Sequence, residues 1–148
     1  MKFHIEKGLI NLNTITRYSD ESFGYKELIE PWDFQIVLES SGRFIMNFDS
    51  KTLKCTSIEG HLLGNIAEKT TLTLPICEDG GLFVNALEDV ERFGIEYEQI
   101  SKKLYHDKRN NIFAIGEIDA KQLFHRIGIG QYVALDTENN INCVIVSF

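Results

Sequence analysis

The sequence predicts an α+β fold rich in β structure: about eight mostly antiparallel strands in a curled sheet or sandwich, with roughly two to four short helices. Three observations predict it. Apolar residues alternate with polar ones along much of the chain, most clearly over residues 33–49. Turn-forming residues interrupt that alternation at short intervals. Helical spacing is confined to short stretches that cluster after residue 85 and do not alternate with strands, which argues against a doubly wound parallel sheet. At 148 residues the chain is read as one domain, 1–148.

The elements follow in order. In residues 2–13, Phe3 and Ile5 alternate with polar neighbours, and Ile10 and Leu12 resume after Gly8. That predicts a bulged strand, or two short strands meeting at a bend. Ser19 or Asp20 is placed to cap a short helix carrying Phe23, Leu28 and Ile29, ended by Pro31. Residues 33–40 and 43–49 predict a β-hairpin around Ser40-Ser41-Gly42. Its inner face carries Phe34, Ile36 and Leu38 on one strand and Phe44, Met46 and Phe48 on the other. Residues 52–58 continue as a third strand, and 59–69, with Gly60, Gly64 and Asn65, read as a loop. In 70–76, Leu72, Leu74 and Ile76 share one face of a strand that Pro75 confines to an edge or an end. Glu78-Asp79-Gly80-Gly81 predicts a turn before a returning strand at 82–84.

The period then changes. Asn85 and Glu88 resemble a capping pair ahead of a helix with Leu87, Val90 and Phe93, stopped by Gly94. Tyr97, Ile100 and Leu104 fit a second short helix. Residues 105–117 predict a hairpin turning at Asn110-Asn111, because Asn tolerates the left-handed region. Asp119 is placed to cap a helix with Leu123, Phe124 and Ile127 inward and Gly128 at its end. A last hairpin joins 131–136 to 141–148, and its second strand, apolar on both faces, belongs in the middle of a sheet.

Composition narrows the function classes. A 43% hydrophobic and 25% charged chain with 11 glycines and 2 prolines is neither disordered nor collagen-like. No run approaches the roughly 18 apolar residues of a membrane helix, so no membrane role is expected. The net charge is −7, and no basic stripe compensates it, so no nucleic-acid partner is expected. Cys55, Cys77 and Cys143 are odd in number and widely spaced, which indicates neither a disulfide framework nor a zinc site. A reducing cytoplasm is the expected location.

No catalytic residue, cofactor or metal site is assigned. His4, His61, His106 and His125 are scattered, without a paired metal motif. Cys77 is the better nucleophile candidate of the three thiols, but Glu78 and Asp79 beside it disfavour a thiolate. Asp33, Asp49 and Asp136 fall at strand ends, where carboxylates more often serve turns than catalysis. Trp32 is read as a core residue or an interface anchor.

Charge distribution is the feature that points somewhere. Residues 78–98 hold seven acidic groups against Arg92, a local −6, whereas 101–126 sum to +3. With Leu87, Val90 and Phe93 inward, Glu88, Asp89 and Glu91 form an outward acidic face that attracts a basic protein surface. The leading expectation is therefore a small acidic protein-binding module without catalysis, such as an inhibitor or immunity-type partner of a basic protein. The alternative is an enzyme or small-ligand receptor with a pocket in the curled sheet lined by Phe34, Phe44, Phe48 and Tyr132. Self-association is a third expectation.

Overall fold

A computed structural model describes residues 2–17, 22–25, 34–39, 42–62, 68–69, 71–85, 95–99, 103–116, 118–119 and 121–148. The described residues are all β, with no helix among them, which overturns the α+β expectation. The strands are β1 (Phe3–Lys7), β2 (Asn11–Arg17), β3 (Ser22–Tyr25), β4 (Phe34–Glu39), β5 (Gly42–Phe48), β6 (Cys55–Leu62) and β7 (Glu68–Lys69). They continue as β8 (Cys77–Val84), β9 (Ile95–Gln99), β10 (Leu104–Asp107), β11 (Ile112–Gly116), β12 (Phe124–Ile129), β13 (Gln131–Leu135) and β14 (Ile141–Ser147).

Two sheets share β2. One runs β7-β10-β11-β14-β13-β12-β2, and the other runs β2-β3-β6-β5-β4-β9. A β1–β8 pair branches from β12. The bend between β1 and β2 is made at Gly8, whose φ of +78° suits glycine. The predicted hairpin forms as β4–β5, with Phe34 opposite Phe48, Ile36 opposite Met46 and Leu38 opposite Phe44. All six are buried. The later hairpins turn through Asn111 (φ 54°) and Asn139 (φ 64°), the residue type that tolerates this region best after glycine. β14 lies between β11 and β13, the central position its two apolar faces predict.

The main core lies between the sheets. Phe23, Phe44, Met46 and Ile58 of one meet Phe113, Ile115, Val133 and Val144 of the other. The Phe23 and Phe113 rings stack at 6.0 Å across that interface. A second cluster covers the opposite face of the β11-β14-β13-β12 layer: Ile112, Ala114, Phe124, Ala134, Cys143 and Ile145. Leu72 and Ile118 pack onto it from the segments that cross that face.

Several expectations are corrected. The helix placed after Ser19 gives way to β3 at 22–25, and its other residues lie outside the described ones. Tyr97 falls in β9 and Leu104 opens β10, so the second helix is not formed among the described residues there. The residues 86–94 from which a helix is read after Asn85 lie outside the described residues. Asp119 caps a turn instead of a helix: its carboxylate accepts from Lys121 N–H at 2.9 Å and its carbonyl from Gln122 N–H at 3.0 Å. Residues 124–129 then run as β12.

The residues 78–81, read as a turn, lie inside β8. Their glycines serve close packing, because a Cβ on Gly81 would stand 2.7 Å from the Leu9 carbonyl oxygen. Gly60, read as a loop residue, lies in β6 opposite Phe23, whose ring occupies the place of a Cβ. Residues 71–76 join no ladder and run across the second cluster instead.

Candidate functional site

The acidic face of Glu88, Asp89 and Glu91 lies outside the described residues, as do Asp33 and Trp32. The four aromatics read as a pocket are not brought together. Phe34, Phe44 and Phe48 have 0% exposure in the main core, and Phe34 stacks on Phe48 at 5.2 Å and 9°. Tyr132 packs against the second cluster, on the other face of its layer.

The aspartates at strand ends build turns. Asp49 accepts from the N–H of Lys51 at 2.7 Å and Thr52 at 3.2 Å. Asp136 accepts from the N–H of Glu138 at 2.8 Å and Asn140 at 2.9 Å, which holds its carboxyl below the ordinary range despite an opposing effect of burial. Asp107 is buried and accepts from the N–H of Leu72, Arg109 and Asn110 and from the Asn110 amide. Those donors, Leu72 first, lower its pKa to about 2. Asp107 thereby fixes both the β10–β11 turn and the segment leading to β8.

One polar cluster forms where β8 and β12 run in parallel. Arg126 donates to both Asp79 carboxylate oxygens, at 2.7 and 2.8 Å. The pair lowers the Asp79 pKa and raises that of Arg126, and it ties the two strands together. Cys77 packs beside it, partly buried. Burial raises its thiol pKa, only partly offset by the Arg126 charge, so this thiol is a poor nucleophile. Tyr132 is likewise raised by burial first.

The histidines remain dispersed. His4 stacks on Phe83 at 5.4 Å and contacts Asn85 at 2.7 Å. His106 stacks on Phe113 at 4.0 Å. His61 is exposed on β6, and His125, opposite Glu78, has its pKa lowered by burial. Among the described residues no group of three or more His, Cys, Asp or Glu is placed to hold a metal.

An open groove of about 430 Å³ lies between the 119–123 turn and the β13–β14 hairpin. Its lining includes Asp119, Leu123, Leu135, Asp136 and Thr137, with Lys121 as its cation. Leu123 is 57% exposed, and Ile76, one residue upstream of the Cys77–Phe124 pairing, is 97% exposed. Helical spacing at 123–127 reads Leu123 as inward, and alternation in 70–76 puts Ile76 on one face with Leu72 and Leu74; no sequence signal marks either as exposed.

No protein-family model matches the chain, and no curated protein matches it. No helix among the described residues is long and apolar enough to cross a membrane.

Proposed function

We propose that this chain is a small acidic module that binds a basic protein and performs no catalysis. The observation that carries the reading is the charge distribution: −7 overall and −6 within residues 78–98. Glu78 and Asp79 lie exposed at the start of β8, in the described part of that stretch. A net field of one sign steers a partner of the other and raises its rate of encounter. An inhibitor or immunity-type role fits such a field. Three thiols, two of them buried, fit a reducing cytoplasm. The small-ligand reading gains no support, because three of its four pocket aromatics are core.

The test is affinity capture from host lysate at low and moderate salt, using the wild type and the Glu88→Gln, Asp89→Asn, Glu91→Gln triple variant. A basic protein should be retained by the wild type at low salt and released as salt rises. Loss of three negative charges should weaken that complex by roughly tenfold. Equal retention by the variant would discard this acidic face. Retention of no basic protein by the wild type would discard the reading as a whole.

A further inference from the structure

Ile76 and Leu123 are the two most exposed large apolar side chains of the described residues. Their backbone positions precede one strand pair. β8 and β12 run parallel and start together, Cys77 beside Phe124, and Ile76 and Leu123 each stand one residue upstream. Leu135, partly buried at the end of β13, shares the groove with Leu123. Single exposed leucines are ordinary, but exposed apolar residues gathered at one end of a strand pair mark an interaction surface.

Both halves of this surface are held in place. Leu72 N–H is bonded to buried Asp107 at 2.8 Å, and Cys77 enters the ladder, so Ile76 is presented from a segment fixed at both ends. Leu123 sits between the Asp119 turn and β12. Carboxylates lie close by in the chain and in the groove. Glu78, the second residue of β8 and two positions after Ile76, is exposed. Asp119 and Asp136 line the groove, against Lys121 within it and Lys2 close to Asp136. Asp79 adds no free charge to this surface, because Arg126 already holds it.

The geometry points to a docking site for a basic segment of another protein. Such a segment places an apolar side chain against Ile76 and Leu123 and sets lysines or arginines beside Glu78, Asp119 and Asp136. An apolar centre within a charged rim is the usual anatomy of an interface. The acidic rim selects the occupant: a second copy of this chain, also at −7, would bring like charge to it. This inference rests on the basic-partner reading and gives that partner a place to bind.

The probes are two synthetic peptides of equal charge, one alternating Lys and Leu, the other alternating Lys and Ser. Each is titrated into the isotope-labelled protein and followed by amide chemical shifts. The Lys–Leu peptide should shift the amides of Ile76, Glu78, Lys121 and Leu123, and should bind about tenfold tighter than the Lys–Ser peptide, as burial of one aliphatic side chain implies. In an Ile76→Ser, Leu123→Ser variant that advantage should vanish, whereas Ile129→Ser, at the far end of β12, should retain it. An unchanged melting temperature certifies the fold of each variant.

Three results would overturn the site. The Lys–Leu advantage could survive the double substitution, the Lys–Leu peptide could fail to bind the wild type, or the wild type could dimerise through this face. The lysate capture separates such a failure from that of the wider reading. A basic protein held equally by the wild type and the double variant removes the site and leaves the partner. Retention of no basic protein removes both.

Discussion

Asp107 shows how one residue can fix two elements. Its two carboxylate oxygens accept four hydrogen bonds, from the 108–110 turn and from Leu72. These donors favour the charged form and hold its pKa at about 2, below the ordinary aspartate value. A carboxyl lowered on folding contributes stability that is fully present above its unfolded pKa and is lost as the pH falls through the folded one. Asp107→Asn should therefore lower the denaturation midpoint at about pH 6, and the gap from wild type should close between about pH 4 and pH 2. Thermal melts across that range measure it. A gap independent of pH would mean that the carboxylate charge contributes nothing. The same chemistry recurs at Asp49, Asp119 and Asp136, each accepting from a backbone N–H two residues on. Asx geometry serves a turn and a helix N-cap alike. That is why Asp119 was legible as a cap while the element after it was not.

At the scale of elements, the β4–β5 hairpin was legible because two signals agreed. Period-two alternation placed six apolar residues on one face, and the observed register pairs them across the strands. The 78–81 segment was illegible because its composition answers to a distant neighbour. Gly80 pairs with Lys7 and Gly81 with Glu6, and the reason for glycine lies in Ile5 and Leu9, some seventy positions upstream. A local reading sees only Glu-Asp-Gly-Gly and infers a turn. Likewise 123–127 satisfies helical spacing, but Phe124 faces the second cluster and Ile127 the main core, opposite sides of a strand. Tertiary packing decides between the two periods. Gly81→Ala tests the close approach. The added methyl would lie 2.7 Å from the Leu9 carbonyl oxygen and 2.9 Å from the Phe83 ring. The backbone must shift to admit it, at a cost of about 1–3 kcal/mol in urea unfolding. An unchanged midpoint would show that the Leu9 backbone does not approach β8 this closely. The candidate docking surface was half legible for the same reason: its aspartates announce turns, whereas the exposure of Ile76 and Leu123 depends on where β8 and β12 meet.

At the scale of the molecule, two apolar clusters share one layer of strands. β11 sends Phe113 and Ile115 to the main core and Ile112 and Ala114 to the second cluster. β14 does the same with Val144 and Val146 against Cys143 and Ile145, and β13 with Val133 against Ala134. A strand cannot leave one cluster without leaving the other, so the two should unfold as one cooperative unit. The cysteines report on this independently. Cys55 lies in the main core, its thiol pushed up to about 12 by burial, and Cys143 lies in the second cluster, also fully buried. Cys77, partly buried at the start of β8, should react with a thiol reagent first. Below the denaturation midpoint Cys55 and Cys143 should then label at the same rate, that of global opening, because neither is reached in the folded state. If Cys143 labels well before Cys55, the segments covering the second cluster open as a separate unit. Leu72 and Ile76 would then lose their fixed presentation, and the docking surface would be ordered by its partner instead of preformed.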